Sequence, residues 1–392
     1  MNSVSAYNQA ALSATGRLTV HRATEEEFQE SRIAWNHLVS AMRFPSPFCT
    51  WEWICTWWEH FGRERELVPL FIYHGDELRG ILPLFRHRTP AVSQWLKGAA
   101  LDYCGATEVY PDHLDIICAP EDVPACVTAA FDFLLARLPG WAWARLPMLA
   151  QDSDLLRALD SVRGKLQVAV RQVSIAPYIA LTGSFEDYLA GLRSKERYNI
   201  RSRRKKLLEE GKIRYEAFAP AEYETGLRTL FELHARRADV KGIASTFGRS
   251  AVFEFHRALL QRLDPNDVML RCLKSEAGVI AALYGFRCGG RTFFYQIGYD
   301  PEWSWAHPGV VLISEAIREV CTGGGTEFNF LQGDEPYKRT FTHEARPLFD
   351  CHVYNSTLSG RVARGAFKLR ERLKAAVRGN VVAHRAGQDA TP

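Results

Sequence analysis

The chain has 392 residues, 47% of them apolar and 24% charged, and a net charge of only +4. This composition excludes a disordered or fibrous chain and a protein that coats nucleic acid, DNA included, and the length fits two domains of ordinary size. No apolar run approaches the roughly eighteen residues of a membrane span, and the start MNSVSAYNQAALSATGR lacks the basic, then apolar, order of an export signal. A soluble cytoplasmic protein is therefore expected, with its nine scattered cysteines as reduced thiols.

In chain order, residues 1–16 read as a disordered lead and 17–21 as a strand. Residues 25–42 are helical in composition, and Phe44-Pro45-Ser46-Pro47 ends that helix. The next helix carries Trp51, Trp53, Ile54, Trp57, Trp58 and Phe61. These are too closely spaced for one stripe, so it is either buried on most sides or, through a residue such as Trp57, stacked against a ligand. A hairpin follows over 67–85, then strands over 93–103 and 113–118, a helix over 123–138, a strand over 141–146, a short helix over 153–159 and a strand over 166–173.

The second half repeats this order. A strand over 212–218 precedes helices over 222–238 and 250–263, then a strand over 268–273. Residues 278–287 and 291–299 pair as a hairpin around Cys288-Gly289-Gly290. Pro308 suits a first helical turn, Val310, Ile313, Ile317 and Val320 share a face, and three glycines from Gly323 stop the helix. A strand over 327–331 leads into the polar loop Gln332-Gly333-Asp334-Glu335-Pro336. VPLFIYHGDELRGILPLFRH from Val68 lines up with VMLRCLKSEAGVIAALYGFR from Val268, which supports an internal repeat. The expected divisions are 1–16, 17–175, 176–355 and a basic tail helix over 356–392.

Charge is placed unevenly. Residues 193–206 hold eight basic residues against one Glu, and residues 356–378 hold seven against one. The basic residues wrap around the first helix instead of forming one stripe, so it is either a solvated helix or one whose Arg197, Arg201 and Arg204 clamp the phosphate of an acceptor, for which the guanidinium fork is suited. The tail helix, with Val362, Phe367, Leu369, Leu373 and Val377, either packs across the domain junction or lies on an anionic membrane surface. The histidines and cysteines have no metal-ligand spacing, so no metal is expected.

A helix N-terminus offers unpaired N–H groups and partial positive charge, which makes the segment from Ala306 to Val311 a seat for a diphosphate. His307 supplies a donor there, Gly309 permits close approach, and Val310 and Val311 continue the turn. Asp334 reads alternatively as an N-cap ahead of Pro336.

FCTWEWICTWWEHFG, GILPL, SKERYNIRSRRKKL, IGYDPEWSWAHPGVVLISEAI and YKRTF resemble the CelD/BcsL-type acetyltransferases of cellulose and exopolysaccharide biosynthesis. These belong to the GNAT superfamily, and the chain is more distantly similar to the Fem aminoacyltransferases. The resemblance covers about residues 17–355. It implies an α/β (α+β) fold of two tandem GNAT-like domains, each a mixed, mostly antiparallel sheet flanked by helices. The cleft would lie in the second domain, with the first as a degenerate copy on the acceptor side.

It further implies an acyltransferase moving an acyl group from acetyl-CoA or another acyl-CoA to a small-molecule or sugar-linked amine. Backbone N–H groups of Gln296, Ile297, Gly298 and Tyr299 would meet the developing oxyanion. Tyr299 or Tyr295 would protonate the leaving thiolate, Asp334 or Glu335 would accept a proton of the acceptor ammonium or hold it in place, and Tyr337-Lys338 would match the Fem-type element that contacts an acyl carbonyl or phosphate. The usual GNAT glycine pattern is absent around Gly309. The alternatives are an aminoacyl-tRNA-dependent Fem-like transferase and a non-catalytic assembly protein of a polysaccharide pathway.

Overall fold

The computed structural model describes residues 18–87, 99–242 and 248–369. The expected lead, the first part of the strand over 93–103, and the tail beyond residue 369, with Leu373 and Val377, lie outside the described residues.

The chain begins with β1 (Thr19–Arg22), α1 (Glu25–Glu30), α2 (Arg32–Ala41) and α3 (Trp51–Phe61). Then come β2 (Arg65–His74), β3 (Glu77–His87), β4 (Ala99–Tyr103), β5 (Ile117–Cys118), α4 (Val123–Arg137), β6 (Trp141–Ala150), α5 (Asp154–Ala158) and β7 (Gln167–Ala180). The second half has α6 (Phe185–Gly191), α7 (Ser194–Arg204), β8 (Arg214–Ala217), α8 (Tyr223–Lys241), α9 (Ser250–Arg262), β9 (Val268–Ser275), β10 (Gly278–Cys288) and β11 (Arg291–Tyr299). It closes with α10 (Pro308–Thr322), β12 (Glu327–Asn329), β13 (Ala345–Tyr354) and α11 over 358–369.

Local chemistry explains the main departures from expectation. The single helix expected over 25–42 is two, because the Ser31 hydroxyl turns back onto the Phe28 carbonyl oxygen at 2.9 Å and its backbone leaves the helical region. Thr24 and Glu27 form a capping box that starts α1. The strand expected over 113–118 is ordered as strand only at Ile117–Cys118, since Glu108, Tyr110 and His113 before it all have positive φ.

All strands form one mixed, mostly antiparallel sheet flanked by helices. Its order is β1-β2-β3-β4-β6-β13-β7-β12-β11-β10-β9-β8, and β5 pairs with β3. Read inward from either edge, each half gives three antiparallel pairings and then one parallel pairing, β4 with β6 and β11 with β12. The next strand is exchanged. β13, from the end of the second half, lies on β6, and β7, from the end of the first, lies on β12. β7 and β13 then pair along their length, from Gln167 opposite Tyr354 to Pro177 opposite Ala345.

The halves also share a core. α3 faces α9, and the Trp53 ring meets Phe255 edge-on at 5.1 Å and Phe286 at 5.8 Å. Arg262 of α9 donates to Thr56 at 3.1 Å and Glu59 at 2.7 Å. Trp53 and Trp57 are buried because they are the packing of this junction and of the first half. A second core, with Leu283, Ile297, Leu312, Phe328 and Phe341, fills the space between α10 and the far face of the second half's sheet.

Candidate functional site

β11 and β12 pair only at Arg291–Glu327, Thr292–Phe328 and Phe293–Asn329, and beyond these β11 continues to Tyr299 without β12. A wedge therefore opens between the strands. Its cause is a bulge: β11 slips one residue against β10 at Tyr284/Gly285, which leaves Tyr295 as the extra residue. Only glycine fits at 285, since a Cβ would lie 2.5 Å from the Phe293 carbonyl oxygen. The Tyr295 hydroxyl donates across the junction to the Val109 carbonyl oxygen at 2.5 Å, so it ties the halves together.

The wedge runs toward the N-terminus of α10. His307 precedes that helix in the left-handed region at φ 51° and makes no side-chain cap bond. Pro308 has no N–H, and those of Val310 and Val311 turn back to the His307 carbonyl oxygen at 3.0 and 3.4 Å. Gly309 N–H makes no hydrogen bond among the described residues, so it is the open donor of this turn. A methyl group at Gly309 would be only in ordinary contact with Tyr299 and Ile297, at 3.6–3.7 Å. Val310 is half-buried and Val311 fully so.

On β11, Gln296 Oε1 accepts the N–H of Ile297 at 2.9 Å. That backbone donor is already covered by a side chain. Gly298 is needed for packing, because a Cβ there would lie 2.8 Å from His234 N and 2.9 Å from the Leu230 carbonyl oxygen of α8. Tyr299 lies at the mouth of the wedge under the Arg237 guanidinium, 4.6 Å from its ring centroid. The Arg237 charge also acts on Tyr337, whose hydroxyl burial pushes well above the ordinary phenol range.

The loop after β12 is held from within. Lys338 is buried, and its ammonium donates to the carbonyl oxygens of Leu331 (3.2 Å), Gln332 (2.8 Å) and Gly333 (3.3 Å) and meets Glu335 at 2.9 Å. An ammonium has three N–H groups, and these four oxygens occupy them. Burial lowers the Lys338 pKa, against the raising influence of Glu335. Asp334 does not cap the short helical turn Pro336–Thr340; it pairs with Arg339 at 2.6 Å, which holds its carboxyl below the usual range.

The basic helix also differs in detail from expectation. Arg197 donates to the Ala190 and Leu192 carbonyl oxygens at the end of α6, and Arg201 pairs with Glu186 at 2.5 Å. Arg204 meets the fully buried Glu315 of α10 at 2.6 Å and covers the Phe185 ring. These three share the face that packs on α6 and α10. Their neighbour Arg203 has no hydrogen bond or ion pair among the described residues, and partial burial lowers its pKa. It acts on His307, whose pKa is lowered first by burial and then by this charge. Sequence spacing missed Arg203 because position 203 lies off the 197/201/204 face. Trp57 is remote from the wedge, buried with its indole N–H on the Thr107 carbonyl oxygen at 2.9 Å.

Residues 194–339, which contain α7, the wedge, α10 and the loop to Lys338, match the family model of the acetyltransferase (GNAT) domain. Over that stretch the chain is similar to a GNAT domain. The crystal structure of FemX is similar over 88% of this chain and 99% of that one, at a TM-score of 0.62 and 10% identity. The C-terminal domain of a putative lysylphosphatidylglycerol synthetase from Agrobacterium fabrum has a TM-score of 0.54 at 9% identity, covering 87% of this chain and 97% of its own. L-PGS from Bacillus licheniformis has a TM-score of 0.50 at 12% identity, covering 84% and 96%. At such identities the likeness concerns the fold alone. No curated protein sequence matches the chain.

Among the described residues, no cluster of His, Cys, Asp and Glu could hold a metal, and no helix is long and apolar enough to cross a membrane.

Proposed function

We propose that the protein is an acyltransferase whose donor, an acyl-CoA thioester, enters the wedge between β11 and β12. The observation that carries this reading is an unpaired cation beside an open helix start. Arg203, His307 and the Gly309 N–H surround the N-terminus of α10, where a diphosphate would be neutralised by charge and met by backbone. Residues 17–175 and 176–355 would form two GNAT-like halves, the first building the acceptor side.

In the reaction proposed, an acceptor amine nitrogen attacks the thioester carbonyl carbon, a C–N bond forms, and the C–S bond breaks. The thiolate takes a proton from Tyr299, which lies under the Arg237 guanidinium. Glu335, which also meets Lys338 at 2.9 Å, takes the proton that the amine loses, while Asp334 is held by Arg339. The oxyanion is met by β11 backbone, which requires the Gln296 amide to swing away from Ile297 N–H. Lys338 acts by shaping the loop. The acceptor proposed is a sugar-linked amine of an exopolysaccharide pathway.

The test is calorimetry with acetyl-CoA and CoA, alongside Arg203→Glu. Micromolar binding weakened at least tenfold by the charge reversal is expected. Binding unaffected by the reversal would remove the proposed seat, and no binding to either compound would remove the donor. The likeness to FemX supports a second reading, with aminoacyl-tRNA as donor. Transfer abolished by ribonuclease treatment would favour it.

A further inference from the structure

The tail helix α11 is seated on the sheet by one face. Gly360 starts it in close contact, since a Cβ there would lie 2.0 Å from the Asn355 carbonyl oxygen and 2.9 Å from that of Ala142. Phe367 packs on the rings of His352 (4.6 Å) and Tyr354 (6.2 Å) of β13. Position 363, between them on the same side, is alanine. At 100° per residue, Gly360, Ala363 and Phe367 fall within one narrow arc.

The opposite arc holds Leu358, Val362 and Leu369, at spacings of four and seven residues, and all three are exposed, at 78%, 45% and 59%. A stripe of this kind on a helix already docked by its other face is not required for folding. Along one border of the stripe lie Arg361, Arg364 and Lys368. None of them has an ion pair among the described residues, and residues 356–369 contain no carboxylate. The same three cations line a cavity of about 270 Å³ with Gln167, Asn355 and Ser356. Apolar ridge and cationic, hydrogen-bonding cavity thus sit side by side on one surface.

We propose that this face docks on an anionic lipid bilayer. The stripe would enter the acyl boundary, and the cavity would receive the phosphate of a lipid headgroup. The geometry is that of an interfacial helix lying in the plane of the membrane, with its cations at headgroup level. A second copy of the chain would satisfy the stripe but would bring a like-charged ridge against this one, which disfavours it. The proposal is independent of which acyl donor the wedge accepts.

The test is flotation of the full chain with vesicles of pure phosphatidylcholine and of phosphatidylcholine containing phosphatidylglycerol. Binding is expected only to the anionic vesicles and should fall with added salt. Two variants are compared: Leu358→Ser/Val362→Ser/Leu369→Ser, and Arg361→Glu/Arg364→Glu/Lys368→Glu. Each should lower the bound fraction at least tenfold while keeping the thermal melt of the parent protein. No flotation with the anionic vesicles, or flotation unchanged in both variants, overturns the proposal. So does a parent protein that binds inorganic phosphate in calorimetry but does not float with the anionic vesicles, which would make the cavity a site for free phosphate. A parent protein that sediments as a dimer, becomes monomeric in the serine variant and does not float would assign the stripe to a second copy and likewise overturn it.

Discussion

The Asp112 carboxylate, from the first half, accepts the backbone N–H of Gln332, from the second, at 2.6 Å. Its other oxygen meets His113 Nδ1 at 2.6 Å, and the His113 ring lies against Phe44 and within 3.4 Å of the Asn329 amide. Asp112 and His113 are almost completely buried. One carboxylate therefore fixes the loop that carries Asp334 to Lys338 against the opposite half.

Asp112→Ala leaves the buried His113 ring without this partner, at about 1–3 kcal/mol, and frees the half-buried Gln332 N–H. Urea unfolding should show a lower midpoint with an unchanged slope. The same variant should lose transfer activity while retaining affinity for the donor, because the wedge and the start of α10 do not touch Asp112. An unchanged midpoint would show that the junction does not depend on this carboxylate.

Arg203 and Arg204 are adjacent but should respond oppositely. Arg204→Ala uncovers the buried Glu315 carboxylate, which retains only Arg318, and should cost about 3 kcal/mol in stability. Arg203→Ala should leave the melting temperature within a degree or two and weaken donor binding. The comparison is made by calorimetric melts with ligand titration; equal losses of stability in both variants would contradict it.

Glycines 285 and 309 should also separate. Gly285→Ala drives a Cβ to 2.5 Å from a backbone oxygen and should destabilise by about 1–3 kcal/mol. Gly309→Ala meets only ordinary contacts and should fold normally. A Gly285→Ala protein with the parent's melting temperature would mean that the β11 bulge relaxes freely.

His256, fully buried among the rings of Trp53, Tyr284 and Tyr295, is pushed down to about 3 by burial. The unfolded chain takes up that proton near pH 6.5. Between those values the unfolded state holds more protons, so stability falls as pH falls, by at most about 1.4 kcal/mol per pH unit. Asp115, pushed up to about 6 by burial, works in the opposite sense from its ordinary 3.8 upward, equally in parent and variant. His256→Leu should therefore narrow the stability gap to the parent as the pH is lowered from 6.5 toward 3. A gap constant across that range would show that His256 does not titrate on unfolding.

The sequence alone was sufficient for most of the elements. The turn at Gly289-Gly290, the start of α10 at Pro308 and its stop at Gly323 depend on local backbone preferences that are written in residue type. The repeated order of strands and helices was legible for the same reason. What each polar residue does was not. A helical wheel sets Arg203 off the face shared by Arg197, Arg201 and Arg204, but it gives only the angle of a side chain and not the surface opposite, so which face meets α6 and α10 was not legible. Lys338 was conspicuous in sequence, but that its ammonium faces three carbonyl oxygens of its own loop depends on how residues 331–335 fold back, with Leu331 and Gly333 at positive φ.

The exchange of β7 and β13, the Trp53 packing across the halves and the Asp112–Gln332 bond all join residues far apart in the chain. Strand alternation shows which face of β13 is buried but not which strand it lies on. Periodicity and turn chemistry are local and so determined the elements; partner choice in a sheet and the neutralisation of buried charge are contacts between distant segments, and only the tertiary structure decided them.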